Sequence, residues 1–153
     1  MDLRARRTTV TSVVYLAIAF AFAGCTDDSA YDSTWYFAVQ SATINPTKPD
    51  GSAWETDGSA PDPFARVTLN GAEVLSTHTL ANTFTPEWGD TSVGTDVNPG
   101  MSVLVDVIDS DPAGDEPIIS GCVIALTEDL PGRSATCSGA AGSVSVNVFL
   151  FAE

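Results

Sequence analysis

Basic side chains are scarce in this sequence, which has 6 Lys and Arg against 20 Asp and Glu and a formal net charge of −14 at pH 7. Three of the bases, Arg4, Arg6 and Arg7, lie at the extreme N-terminus. An acidic surplus of this size repels phosphate, which excludes nucleic-acid binding and disfavours unaided adsorption to anionic lipid. The acids therefore either keep the protein soluble or are gathered to hold a cation.

Histidine and cysteine are also rare, with His78 as the single His beside three Cys. One His cannot complete an ordinary zinc site with two Cys that are joined to each other. The sequence has no Gly-x-Ser-x-Gly elbow for a Ser-His-Asp triad, and no carboxylate pair stands out for glycoside hydrolysis. We therefore expect a protein that is not an enzyme.

The longest apolar run, residues 10–22, is short for a membrane-spanning helix, which needs about 20 apolar residues. It follows the basic N-terminus and ends in Ala23-Gly24-Cys25, so we predict a cleaved signal peptide over residues 1–24. The small pair before Cys25 resembles a bacterial lipobox, which implies a diacylglycerol thioether on that Cys. The alternative is ordinary cleavage nearby, with Cys25 unmodified.

The cysteine count agrees with a lipid anchor, because lipidation of Cys25 leaves Cys122 and Cys137 as one pair. These two Cys are 15 positions apart, and closing such a loop would stabilise the fold by about 3 kcal/mol. We predict this disulfide and an acidic tether over residues 25–33. The expected location is the bacterial cell envelope, at the outer membrane or the periplasmic face rather than in the cytoplasm.

From residue 34 to residue 153 the pattern predicts β-strands and no convincing helix. Branched and aromatic residues alternate with polar ones in short stretches bounded by Gly, Pro and Asp, and Asn70-Gly71 is a strong hairpin signal. This pattern predicts one all-β domain, a sandwich or barrel. The predicted strands are 35–44, 64–69, 73–80, 101–108, 118–126 and 143–151.

Three stretches, in this order, resemble the C2 domain family. Residues 57–67 are similar to the family's Asp-x-x-Gly-x-Ser-Asp-Pro-Tyr-Val-x-Val, at a spacing one residue shorter. Residues 79–90 resemble Thr-x-x-x-Asn-Thr-x-x-Pro-x-Trp-x-Glu, and residues 105–111 resemble a strand that ends in Val-x-Asp-x-Asp. The resemblance implies a C2-like antiparallel sandwich of about eight strands with Asp-rich loops at one end.

Those loops are chemically suited to calcium, a hard cation that takes six to eight oxygen ligands. Carboxylates gathered at one end of a sandwich would repel each other unless a cation lay among them, although Asp is also common in ordinary turns. The family's last loop aspartate would fall near Pro117, so a neighbouring acid must substitute for it. The candidate calcium ligands are Asp57, Asp62, Asp109, Asp111, Asp115 and Glu116.

The function expected first is a membrane-anchored, calcium-binding C2-like module. Calcium would join the Asp-rich loops to an acidic partner, either a phospholipid headgroup or a protein or glycan carboxylate. A headgroup site built on basic side chains is disfavoured, since residues 73–81 contain no Lys or Arg. The alternatives are a calcium-independent structural or protein-interaction lipoprotein of the envelope and an accessory domain recruited by an enzyme.

Overall fold

A computed structural model of the protein describes residues 34–98 and 100–150. The predicted signal peptide (1–24), the lipidation of Cys25 and the tether (25–33) lie outside these residues. The described chain forms β-strands, joined by turns and loops. The strands are β1 (Thr34–Ile44), β2 (Pro63–Leu69), β3 (Ala72–Ser76), β4 (Thr95–Asp96), β5 (Ser102–Asp109), β6 (Glu116–Ala125), β7 (Arg133–Gly139) and β8 (Gly142–Leu150).

The strands form two four-stranded sheets, with the orders β4-β1-β8-β7 and β3-β2-β5-β6. Neighbouring strands are antiparallel in both sheets. The sheets pack face to face, since each contributes a row of inward apolar side chains to one hydrophobic core. The prediction of an all-β, C2-like sandwich of about eight strands is confirmed for this part of the chain.

The core follows from the period of two in the central strands. Side chains alternate between the two faces of a strand, and β2, β5 and β8 bury every second residue for most of their length. Each buried Val stabilises the fold by roughly 1.5 kcal/mol or more relative to an exposed one. The largest fully buried side chains are Trp35, Phe37, Leu126, Val39, Val67, Val97, Val103, Val105, Val107, Val144, Val146 and Val148.

Three edge strands differ from the expectation, of which β4, with only two residues, was not predicted. β7 was not predicted, because its residues, RSATCSG, are small or polar and only Ala135 and Cys137 are partly buried. β3 was predicted to reach residue 80 but ends at Ser76. Beyond it, the backbone N–H of Thr77 still donates to Ala65 O at 2.9 Å, while the Thr77 hydroxyl accepts from the backbone N–H of Ala65 at 2.8 Å in place of a carbonyl.

The loops 45–62, 77–83 and 110–115 meet at one end of the sandwich, here called the loop end. β1 and β5 end there and β2 and β6 begin there, because Asp109 pairs with both Pro63 and Glu116. The backbone N–H of Thr83 donates to Pro61 O at 2.9 Å, and that of Ile44 donates to Phe84 O at 2.8 Å, which joins the two sheets at this end. The start of β1 lies at the opposite end.

A disulfide joins Cys122 of β6 to Cys137 of β7, with the two Cα atoms 5.8 Å apart, as the cysteine count predicted. β6 and β7 are the edge strands of different sheets. The bond therefore links the sheets along one open side of the sandwich. Among residues 34–98 and 100–150, the structure contains no helix with the length and apolarity needed to cross a membrane.

Candidate metal centre

Asp109 is the innermost acid of the loop end. It is the last residue of β5 and continues the inward face that Val105 and Val107 occupy, and its exposed fraction is 0%. Its Oδ1 accepts a hydrogen bond from the backbone N–H of Asp62 at 2.7 Å. Its Oδ2 is buried without a hydrogen-bond partner. A buried carboxylate oxygen in that state costs free energy that a positive ligand would recover.

Two further carboxylates lie beside Asp109. They belong to Glu55, from the loop 45–62, and Asp111, from the loop 110–115. One carboxylate oxygen from each of the three acids lies within 4.8 Å of the other two. Asp109 and Asp111 were predicted as ligands from the spacing of the family motif. Glu55 was not predicted, because it stands in a long loop with no local pattern, and only the path of that loop brings it here.

Burial and crowding change the affinity of two of these carboxylates, Asp109 and Glu55, for protons. Burial raises the pKa of Asp109, and the negative charges of Asp111, Asp62 and Glu116 raise it further. Burial also raises the pKa of Glu55, followed by the charges of Asp111 and Asp109. Both shifts mean that the apo site disfavours its own negative charge.

Asp57 and Asp62 border this group on the same loop as Glu55, and the charges of both raise the pKa of Glu55. The Asp62 carboxylate accepts a hydrogen bond from the backbone N–H of Asn82 at 2.7 Å, which ties the loop 77–83 to the loop end. The Asp57 carboxylate accepts bonds from the backbone and hydroxyl of Ser59, and these lower its pKa.

Asp115 and Glu116, the two acids predicted to substitute for the family's last loop aspartate, lie in different places. Glu116 is directly opposite Asp109 across the β5–β6 pair, but its carboxylate binds the Lys48 ammonium at 2.5 Å. Asp115 lines a cavity of about 230 Å³ together with Arg66 and Asp106 of the neighbouring strands. Neither acid is in the group formed by Glu55, Asp109 and Asp111.

Two hydrogen-bonded contacts fix the loop 45–62 in place. The Trp54 side chain is 5% exposed and its indole N–H donates to Asn45 O at 2.8 Å. The Asp50 carboxylate accepts bonds from the backbone and hydroxyl of Ser52, closing a tight turn. Trp54 therefore belongs to the core beneath the loop and holds Glu55, its neighbour in sequence, close to Asp109.

The donor set fits a hard divalent cation. It offers carboxylate oxygens alone, the ligand type that calcium and magnesium prefer over zinc or copper. The buried, unpartnered Oδ2 of Asp109 supplies an oxygen that is already stripped of water. Glu55, Asp109 and Asp111 would hold the ion, whose two positive charges would offset most of their negative charge and whose remaining ligand positions would be open to an outside oxygen.

A comparison with protein families matches the C2 domain over residues 37–138, from β1 to β7. The chain belongs to the C2 domain family. Members of this family typically bind membranes or phospholipids in a calcium-dependent manner, and the C2 domain is a non-catalytic module in homologous proteins. No curated protein matches the chain.

Solved C2 structures share the fold at low sequence identity. An isolated C2 domain is 14% identical with a TM-score of 0.63, and the match covers 76% of this chain and 96% of that one. The calcium-bound pair of C2 domains from extended synaptotagmin 2 is 13% identical with a TM-score of 0.57, over 80% of this chain and 46% of that one.

Human GIVD cytosolic phospholipase A2, solved with an inhibitor and terbium chloride, is 19% identical with a TM-score of 0.59. That match covers 78% of this chain but only 17% of the phospholipase. At these identities the likeness establishes the sandwich fold alone.

Proposed function

We propose that this C2 domain binds calcium at its loop end through Glu55, Asp109 and Asp111, and that the bound ion attaches the domain to an acidic partner. The partner class is a phospholipid headgroup, or a protein or glycan carboxylate. Cys25 carries the lipid that anchors the domain in a bacterial cell envelope.

The observation that carries this proposal is the Oδ2 atom of Asp109. A completely buried carboxylate with one unpartnered oxygen, next to two more carboxylates, is unfavourable for a protein whose net charge is already negative. Ordinary turn chemistry accounts for Asp57, whose carboxylate is bonded to Ser59. Turn chemistry does not account for Asp109, because Oδ2 has nothing to accept from. A cation among the three carboxylates removes the penalty.

Family membership supports the same conclusion from a separate direction. C2 domains often bind calcium, and the extended synaptotagmin 2 structure that this chain resembles holds calcium. Asp109 and Asp111 match the family's Asp-x-Asp at the end of β5. Glu55 is a further acid that lies beside this pair.

An acidic partner follows from the charge of the site. Three acidic ligands that each bind through one oxygen leave at least three of the six to eight positions of calcium open, so an oxygen from outside can complete the shell. The loop end offers few cations for a headgroup, since Lys48 is paired with Glu116. Attachment to an acidic group is therefore expected to depend on the ion.

Thermal unfolding of the purified protein tests the calcium site. A ligand that binds only the folded state adds about 2.7 kcal/mol to the free energy of unfolding at 100 times its Kd, so calcium should raise the Tm. Asp109→Asn combined with Asp111→Asn should abolish the rise, and Glu55→Gln should reduce it. Asn at position 109 keeps the Oδ1 that accepts from Asp62.

The matched control removes two charges at the other end of the sandwich, through Glu73→Gln and Asp96→Asn, and should leave the calcium effect intact. Both acids are exposed. A wild-type Tm that stays constant up to about a hundred times the millimolar Kd of weak extracellular sites would refute the calcium site. It would leave a calcium-independent envelope protein as the remaining function.

Vesicle co-sedimentation tests the partner. We expect binding to phosphatidylserine vesicles with calcium, release by EGTA, and no binding to vesicles of phosphatidylcholine alone. A protein that binds calcium but ignores both kinds of vesicle would exclude the lipid and point to a protein or glycan carboxylate.

A further inference from the structure

Lys48 lies at the loop end, immediately beside the acidic group. The residues that the structure describes include three Lys and Arg side chains: Lys48, Arg66 and Arg133. Lys48 alone belongs to the loop 45–62, and its side chain is only 21% exposed. Its ammonium contacts Glu116 Oε2 at 2.5 Å, and the charges of Glu116, Asp109 and Asp50 all help to raise its pKa.

The fold holds Lys48 in this position. Its ammonium lies 5.6 Å from the centre of the Trp54 ring, within the range of a cation–π contact. Its backbone N–H donates to Ser52 O, and its carbonyl accepts from Gly51, so the residue is fixed inside a closed turn. A partly buried ion pair on a fixed backbone is more persistent than an exposed one, which contributes little.

Glu116 is a further acid placed to join Asp109. The two residues face each other across the β5–β6 pair, where the Cβ atoms of opposed residues are about 5 Å apart. The charge of Glu116 also raises the pKa of Asp109, so the two carboxylates affect each other. Nevertheless the Glu116 carboxylate is bonded to Lys48 and is absent from the group formed by Glu55, Asp109 and Asp111.

We propose that Lys48 withholds Glu116 from the calcium ligands and thereby sets a weaker calcium affinity than the loop end could reach. The ammonium occupies the carboxylate that would otherwise be a further anionic ligand. This inference depends on the proposed calcium site and adds the residue that tunes it. The calcium site is inferred from more than the clustering of acids, because the buried, unpartnered Oδ2 of Asp109 independently points to a cation.

The test is a calorimetric titration of the protein with calcium chloride. Lys48→Met keeps an unbranched apolar stem against Trp54 and removes the charge. Because the number of charged ligands tunes calcium affinity over several decades, we expect the Kd to fall about tenfold or more. Lys48→Gln should give the same direction of change, which covers the case in which the Met variant fails to fold.

Two further variants distinguish an effect of the Lys48–Glu116 ion pair from an effect of the net charge of the protein. Lys48→Met with Glu116→Gln removes the freed ligand, and its Kd should return to within about threefold of the wild type. Arg66→Met is the matched control, since Arg66 also pairs with an acid, Asp106, at 3.8 Å, but on the β2–β5 surface. Its Kd should stay within the same limit.

Titrations at high salt distinguish two explanations of a tighter Kd in Lys48→Met: a new calcium ligand, or the loss of the positive charge near the ion. At about 1 M salt the screening length is about 3 Å, so a field effect of the missing ammonium would fade. The ratio of the wild-type Kd to the Lys48→Met Kd should remain near tenfold in potassium chloride at that concentration. A ratio that falls to one in high salt would overturn the inference.

The remaining outcomes distinguish this inference from the proposed function. Equal affinities in the wild type and Lys48→Met would overturn the role of Lys48 and leave the calcium site standing. No binding in either protein would overturn both proposals. Binding in Lys48→Met alone would overturn calcium binding by the natural protein, and it would support Lys48 as the residue that prevents it.

Discussion

Asp109 has two structural roles, one in the strand pairing of the sandwich and one in the acidic group at the loop end. Its backbone closes the β2–β5 and β5–β6 ladders, while its side chain follows the alternation into the interior. A Val at this place would simply extend the core. The carboxylate instead leaves one oxygen bonded to Asp62 and the other without a partner, which a stable core would not keep unless something else bound it.

The calcium-free protein should therefore become more stable as the pH falls. Burial raises the pKa of Asp109 in the folded state, so between the unfolded and folded pKa values the folded protein binds more protons. In that case the free energy of unfolding decreases as the pH rises through the folded pKa. We expect the Tm in EGTA to rise as the pH falls through the raised folded-state pKa of Asp109, and Asp109→Asn to flatten the slope.

The measurement is a series of thermal melts in EGTA, with Glu73→Gln as the control for an exposed acid. A wild-type slope that matches the slope of Asp109→Asn would mean that Asp109 is not protonated more readily in the folded protein. That result would contradict the crowding of carboxylates described above.

The candidate site could be predicted only in part from the sequence. Asp109 and Asp111 follow a recognisable strand, and their spacing fixes where they lie on it. Glu55 could not be found in this way, because its position depends on the path of the long loop 45–62 and on the burial of Trp54. Glu116 was predicted as a ligand from its distance along the chain, which carries no information about Lys48.

At the scale of strands, the central elements were predictable, whereas the edge strands were predicted unevenly: β6 was found, β3 only in part, and β4 and β7 not at all. β1, β2, β5 and β8 have a clear alternation because one face of each is buried. β7 lacks it because an edge strand of small residues buries little. Its position is instead maintained by pairing with β8 and by the bond from Cys137 to Cys122.

Removing that bond should cost stability without affecting the loop end. Cys122→Ala with Cys137→Ala should lower the free energy of unfolding by about 3 kcal/mol, as expected for a loop closed across 15 residues. Urea denaturation measures this loss. The calcium-induced rise in Tm should persist, because both Cys lie within strands and neither contacts the three carboxylates.

A loss below about 1 kcal/mol would contradict the view that β7 depends on this bond. A loss of the calcium effect would show that strain passes from the edge of the sandwich to the loop end.

The molecule as a whole carries a formal charge of −14 at pH 7. Several of its acids lie at the loop end and others are spread over the rest of the chain. Self-repulsion of this kind destabilises a compact state. Without calcium, raising potassium chloride from about 0.01 M to about 1 M shortens the screening length from about 30 Å to about 3 Å and should raise the Tm.

The same melts repeated with saturating calcium should show a smaller salt effect, since the ion has already neutralised the most crowded carboxylates. If the Tm in EGTA fell as salt increased, attractive rather than repulsive charge interactions would dominate the folded protein.

The direction of β1 has a consequence for how the domain would stand on a membrane. Thr34, where β1 begins, pairs with Asp96 at the end of the sandwich opposite to the loops. A strand of 11 residues covers about 36 Å at about 3.3 Å per residue. If a lipid on Cys25 anchored the domain, the loop end would point outward, away from that membrane, because the chain would enter the sandwich at Thr34. A domain anchored in this way would present the loop end to a partner across the gap and not to its own membrane.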